Sequence, residues 1–458
     1  MITLNAIDFG LISDIPELQH TKIQKAIDTC FANGGGEVVI PKGNYRIGDI
    51  RIRSNITLRL ESGVHLMGSN DPEDYFNYLK DEIEPLDKSR VTDAPYVHLS
   101  TIHGETQYNE NDPNYRFRRL PGSRWNNALI RAIDAKNIKI IGCRDSVIDG
   151  MNCFDAIGEE DYRGPHGICF YNCEDIELKG YTIRQTGNWA HWLLFSKNIT
   201  MDNILVTEGH DGVDFFDCTN ASVTNCEFYT GDDCIAGFGN VNVYVSDCIL
   251  NSSCSAFRFG GTNVYVERCR MYGPGKYCFR GSLTPEEKAA SAPSHLKGHR
   301  NNMLSIFTYY SDFSMPIPVT PGNIVIADSV FDNSDRFLHF NFSGSETWQR
   351  YKPLDSIEFR NIKASGIRMP LNLYGKAGEE VSLTLRNVDI SLDPSLENKS
   401  LVHACNFKSI VFDGVRISGK LDDLVRKWSE GDITVRNTEC EVNSTSTVAT
   451  EKFLTPHV

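Results

Sequence analysis

An asparagine or aspartate followed by alternating apolar residues recurs along this chain at a nearly constant interval. The units are Asn137-Ile-Lys-Ile, Asp175-Ile-Glu-Leu, Asn198-Ile-Thr-Met, Asn220-Ala-Ser-Val, Asn242-Val-Tyr-Val and Asn263-Val-Tyr-Val, and from Asp175 onward the steps are 23, 22, 22 and 21 residues. A period of this length, with a short alternating strand in each unit, is the signature of a solenoid whose units stack to bury a shared core. The pattern predicts an all-β parallel β-helix. It resumes as Asn323-Ile-Val-Ile, Ser356-Ile-Glu-Phe, Val381-Ser-Leu-Thr-Leu, Ser409-Ile-Val-Phe and Asp432-Ile-Thr-Val, so the whole of residues 1–458 is expected to form one domain. Residues 1–36 are expected to cap it, because Ile23, Ala26, Ile27, Cys30 and Phe31 follow helical spacing up to the stop Asn33-Gly-Gly-Gly. Stretches of about 70–125 and 281–320 break the rhythm and are expected to form cleft walls.

The formal net charge of −14 disfavours nucleic acid and anionic membranes, which require a basic footprint. Lys276, Arg280, Lys297, His299 and Arg300 form a local basic stretch, readable as a solvated loop or as part of a site. The N-terminus shows no signal-peptide pattern and no 18-residue apolar run follows, so a cytoplasmic location is expected. Fourteen cysteines leave that expectation standing. Cys226, Cys248 and Cys269 all fall six places after their Asn markers, as Cys143 does in an earlier coil, and together they predict a reduced stack inside the core. No Cys-x-x-Cys or His-Glu-x-x-His occurs and Asn33-Gly-Gly-Gly ends a helix, so neither a metal nor a phosphate-bearing cofactor is expected.

Asp211 and Asp233 stand thirteen places after Asn198 and Asn220 and therefore share a column, with Asn188 one coil before and Ser255 one coil after. Neighbouring strands lie about 4.8 Å apart. Two carboxylates at roughly that separation share protons, with apparent pKa values that belong to the pair. A solvated aspartate ladder at a turn has the same spacing.

The strings Gly209-His-Asp-Gly-Val-Asp-Phe-Phe and Thr230-Gly-Asp-Asp-Cys-Ile-Ala carry a resemblance. With Ile52-Arg-Ser-Asn-Ile-Thr-Leu-Arg-Leu and Phe170-Tyr-Asn-Cys-Glu-Asp-Ile-Glu-Leu, they resemble glycoside hydrolase family 28, the polygalacturonases, over roughly residues 1–280. The resemblance implies a right-handed parallel β-helix and inverting hydrolysis of a polysaccharide-derived oligosaccharide, with pectic ones among the candidates. It implies Asp232 as general acid, with Asp211 and Asp233 holding the water. Adjacent residues point apart in a regular strand, so Asp232 and Asp233 share a cleft only if the chain bends at Gly231.

The chain also departs from the family pattern. Gly209-His210 replaces Asn-Thr, Ser252-Ser-Cys-Ser-Ala-Phe-Arg-Phe-Gly replaces Gly-His-Gly, and Cys278-Phe-Arg-Gly-Ser replaces Arg-Ile-Lys. These losses keep open a lyase, an epimerase or an intramolecular glycosyl transferase on a related polymer, and a non-catalytic binding solenoid. Arg258 falls in register with Asp214 and His191, with Arg280 near that position one coil on, and either arginine could clamp a carboxylate or sugar hydroxyls. Arg258 could equally form a structural ion pair with Asp214. His210, His191 and Lys276 complete the substrate-binding candidates, and Trp125, Trp189, Trp192, Tyr309 and Trp348 could stack on sugar rings or pack.

Overall fold

A computed structural model describes residues 2–75, 127–155, 163–284, 286–287, 298–311, 320–342, 349, 352–396, 398–451 and 453. From Ile2–Asn5 to Glu439–Val448, each named strand pairs in parallel with its counterpart one coil away. A coil is three short strands and their turns: Val213–Phe216, Thr219–Thr224 and Glu227–Thr230 make one. The next coil repeats it, with Val213 opposite Ile235, Ala221 opposite Val243 and Glu227 opposite Ile249. The sequence period is thus the coil.

The marker residues explain why asparagine recurs. Asp175, Asn198, Asn220, Asn242 and Asn263 all have φ between 57° and 59°. L-residues reach this left-handed region only at a cost, and asparagine and aspartate reach it most readily among those with a side chain. Their side chains then join coil to coil. Asn198 Nδ2 donates to Asp175 Oδ1 at 2.9 Å, Asn220 to Asn198 at 3.2 Å, Asn242 to Asn220 at 3.0 Å and Asn263 to Asn242 at 3.1 Å. Asn323 donates to Asn263 at 2.8 Å although 60 residues separate them, so the greater length of that coil, which still contributes the paired strands Arg270–Tyr272 and Met303–Tyr309, does not alter the register.

Inside, one column runs Ile199, Ala221, Val243, Val264, Ile324, Ile357, Leu383 and Ile410, all buried. Each fully buried aliphatic side chain of this kind contributes about 1.5–3 kcal/mol. The helix His20–Ala32 buries Ile23, Ala26, Ile27 and Cys30 into the same core. Phe31, expected on that face, is exposed instead, and the Arg53 guanidinium lies over its ring.

Cys226, Cys248 and Cys269 are buried, unpaired by disulfides and consecutive along one column. Thiol hydrogen bonds from Cys248 to Cys226 and Cys269, together with burial, push the Cys248 pKa far up. Cys143 does not belong to the stack. It is half-buried against Asp145 and Ser146, because its turn is three residues longer and Ser146, just before Val147 opposite Thr182, takes the column position. Most of the expected insertion at 70–125, with Trp125, lies outside the described residues, as do Lys297, Trp348 and much of 281–320.

Asn220→Ala is expected to cost about 1–2 kcal/mol in denaturant unfolding, from left-handed strain plus two lost ladder bonds, with Asn220→Gly recovering only the strain. Mass mapping without reductant should find Cys226, Cys248 and Cys269 as free thiols.

Candidate active site

Two turns in adjacent coils build the site. The first runs from the end of strand Leu205–Thr207 to Val213 and carries His210 and Asp211; the second runs from Thr230 to Ile235 and carries Asp232 and Asp233. Gly231 is obligatory in the second: a Cβ there would lie 2.6 Å from Cys278 O and 2.9 Å from Gly209 O. The turn breaks strand alternation, so Asp232 and Asp233 face the same group of charges. Thr230 Oγ1 and Ser252 Oγ hold the bend by donating to Asp232 O at 2.7 and 2.5 Å.

Asp211, Asp233 and Ser255 form the expected column, each carboxylate receiving the backbone of the next coil. Asp233 N donates to Asp211 Oδ1 at 3.1 Å and Ser255 N to Asp233 Oδ1 at 2.9 Å. Asn188 is not its earlier member. Arg184 pairs with Thr207 but Trp192 pairs with Asp214, so the earlier turn is one residue longer. Ala190 N accordingly donates to Asp211 O, which places Trp189 above Asp211.

The same extra residue removes His191 from the Asp214 column. His191 is fully buried, Nδ1 donating to Gly212 O and Nε2 accepting from Tyr181 OH, both at 2.9 Å, and burial pushes its pKa down to about 4. It is a neutral support for the turn bearing Asp211, not a substrate ligand. The outward column runs Trp192, Asp214, Ala236, Arg258, Thr308. Ala236, with a single buried methyl, separates Asp214 from Arg258 in this column. Arg280 stands outside this column, in the short helix Arg280–Ser282, since Thr308 and not Arg280 follows Arg258.

Four carboxyl groups therefore converge where three were expected. Asp214 is 1% exposed, Asp233 0% and Asp211 5%, while Asp232 is half-buried. Burial is the leading cause that raises each pKa. Asp214, Asp232 and Asp233 push Asp211 further, and Asp232 is pushed up to about 7 by burial and Asp233. Arg163 and Arg258 act against this on Asp214 and Asp232, and Arg258 also on Asp233. Arg258 lies over the Tyr310 ring at 4.5 Å. Arg280 is 2% exposed, and burial with the nearby Arg163 pushes its pKa down to about 10.

Asp214 Oδ2, Asp233 Oδ2 and Arg280 Nε and Nη2 are buried with no hydrogen-bond partner among the described residues. Buried acceptors and donors without partners leave bonding capacity for a polar ligand. Asp232, Asp233 and Cys254 have ligating atoms within 4.8 Å of one another, close enough to share a cation. Arg258 and Arg163 already face these carboxylates and burial holds the Cys254 thiol protonated, so the set is better suited to sharing protons.

Of the remaining candidates, His210 is buried in the Asp211 turn. Lys276 is exposed, its ammonium over the rings of Tyr229 and Tyr277 at 5.1 and 5.5 Å. Trp189 and Trp192 offer no open stacking face: they pack with Phe216, Phe238 and Tyr310 into a second apolar cluster. Tyr309 points into the main core and donates to Lys352 O at 2.6 Å. Asp214, Arg163 and Cys254 were absent from the expected site. Asp214 was visible in register with Arg258 and read as a structural partner; Arg163 follows a segment without the period and gave no signal.

Residues 122–272 match a family described as the right handed beta helix region. Over 269 residues the chain is 24% identical to an exo-poly-alpha-D-galacturonosidase of Dickeya chrysanthemi, which takes in 52% of this chain and 42% of that protein. The chain thus spans less than half the length of that relative. An exopolygalacturonase from Thermotoga maritima superposes with a TM-score of 0.61 at 16% identity over 96% of this chain and 92% of that one. PfbA, a surface adhesin of Streptococcus pneumoniae, does so at 0.57 and 14% identity over 97% and 92%. An adhesin and a hydrolase share the architecture, so shape alone assigns no activity.

All four aspartates are raised, so each contributes stability that is complete below the unfolded-state value of about 3.9 and is lost as pH rises through the folded-state value. Asp214→Asn removes one buried charge at constant shape. Its melting temperature relative to the parent should therefore increase between pH 5 and pH 8, by about 2 °C or more; an offset independent of pH would refute the charge crowding.

Proposed function

We propose that this protein, a divergent right-handed parallel β-helix similar to the polygalacturonases, is an inverting glycoside hydrolase acting on a fragment of an acidic, pectin-type polysaccharide. Asp232 is the general acid, and Asp211 and Asp233 position the water and take its proton. The observation that carries this reading is Asp232 itself: a half-buried carboxyl pushed up to about 7, grouped with the buried carboxyls of Asp211, Asp214 and Asp233. A general acid works best when its pKa lies near the operating pH. Asp232 and Asp233 have carboxylate oxygens within 4.8 Å of one another, closer than the roughly 6.5–9.5 Å between acid and base that inversion requires, so the longer span falls to Asp211 on the neighbouring coil.

Substrate acidity is supported by Arg280 and Arg163. Two guanidiniums close enough to depress one another's charge are favoured by an anion between them, and a sugar carboxylate offers the matching fork. Arg258, on the same outward column as Asp214, is proposed to bind sugar hydroxyls. The helix His20–Ala32 is proposed to cap the end of one continuous β-helical domain.

Incubation with oligogalacturonides and related acidic oligosaccharides, with the product anomer read by NMR, tests the proposal. The expected product has inverted configuration, and Asp232→Asn should lower kcat by about 10²–10⁴-fold. The alkaline limb of kcat/KM should fall near pH 7, because the acid must be protonated in free enzyme. An unsaturated, epimerised or cyclic product, or near-parental kcat in Asp232→Asn, would overturn it.

A further inference from the structure

The segment Ser252-Ser-Cys-Ser has no role in the proposal above, yet it is woven into both catalytic turns. Ser252 Oγ accepts from Cys254 N at 2.7 Å and donates to Asp232 O at 2.5 Å. On the other side of Cys254, Ser255 N donates to Asp233 Oδ1 at 2.9 Å. Leu304 N donates to Cys254 O at 2.6 Å and Arg300 Nη1 to Ser253 O at 2.8 Å. The backbone of Cys254 is thus held by Ser252 on its own coil and by strand Met303–Tyr309 on the next. Its Sγ is placed so that this atom and the carboxylate oxygens of Asp232 and Asp233 all lie within 4.8 Å of one another. Asp233 Oδ2 is buried with no hydrogen-bond partner among the described residues, and the Cys254 thiol is a potential donor within 4.8 Å of an oxygen of the same carboxyl.

We infer that Cys254 is a positioning residue, its thiol poised between the general acid Asp232 and the water-holding Asp233 so that its S–H proton biases where the shared protons of the pair reside. The inference rests on the roles assigned above. A thiol can act this way only while protonated, and here burial, Asp233 and Asp232 all push its pKa well up, against Arg300 and Arg258. In return, the nearby thiol, as a potential donor, acts to lower Asp232 and Asp233. The other charges that face the group are Asp211, Asp214 and Arg163, with the buried Cys234 thiol beyond Asp233. A donor to an ionised carboxyl favours the ionised form. Without the thiol both carboxyls would hold their protons to higher pH.

The sign of the test follows. The acid limb of kcat/KM reports Asp233, which must be ionised, and the alkaline limb reports Asp232, which must be protonated. Cys254→Ala should move both limbs to higher pH, by about one unit, and Cys254→Ser, which retains a hydroxyl donor, should return them most of the way. A void alone would lower kcat without moving the limbs. A second readout needs no substrate: Asp233→Asn removes a charge that keeps the thiol protonated. At fixed pH, alkylation of the half-buried Cys254, followed by peptide mass mapping, should then be about tenfold faster than in the parent chain, one pKa unit being tenfold in thiolate. Coincident pH profiles for Cys254→Ala and the parent chain, or unchanged Cys254 alkylation in Asp233→Asn, would overturn the inference while leaving the hydrolase reading intact. If no glycosidic bond is cleaved but Asp233→Asn accelerates alkylation, the coupling stands and the hydrolase reading fails.

Discussion

Hydrogen bonds that run from each coil to the next carry every other feature of this protein. Backbone pairing fixes neighbouring coils at a separation of about 4.8 Å, and the asparagine ladder repeats the constraint at the turns where φ is positive. A solenoid has no long-range packing to correct a slipped coil, because each unit touches only its neighbours. Register must therefore be specified locally and repeatedly. The Asn263 to Asn323 bond across 60 residues shows how strictly this holds.

The same stacking forces like charges together. Asp211 and Asp233 repeat one position in successive coils, Asp214 projects from the adjoining strand and Asp232 is turned toward them by the bend at Gly231. Free aspartates would separate in water. Here they are held in a site where burial raises all four pKa values, with Arg163 and Arg258 offsetting part of the repulsion. Loss of the Gly231 bend would disperse the set without touching a carboxylate. The site is thus a property of turn geometry as much as of the acidic residues.

Electrostatic crowding of this kind has two consistent outcomes in a folded protein: proton sharing or capture of a cation. The arginines tip the balance toward protons, since they already supply positive charge at the carboxylates. They also set the polarity of what can enter. Arg280, buried beside Arg163 with two donors unused, favours a ligand group that is anionic or rich in acceptors. Trp189 and Trp192, which are spaced to suit sugar stacking, are absorbed by packing instead, because the outward face of the sheet beside the site carries an apolar cluster of its own.

Periodicity alone determined the solenoid, its parallel strands, the coil length, the Asp211–Asp233–Ser255 column and the Cys226–Cys248–Cys269 stack, because in a parallel β-helix distance along the chain converts directly into position in space. That conversion fails wherever a turn gains residues. One extra residue between Arg184 and Trp192 displaced Asn188 and His191 from the columns that counting assigned to them, and a three-residue surplus did the same to Cys143. Counting also had no purchase on Arg163 and Arg280, which approach the site from segments without a period. Tertiary structure alone decided that Asp214 joins the carboxylate group, that Tyr309 faces inward and that Cys254 lies between Asp232 and Asp233, since these depend on which way a side chain leaves a bent backbone and on what has already filled the space around it.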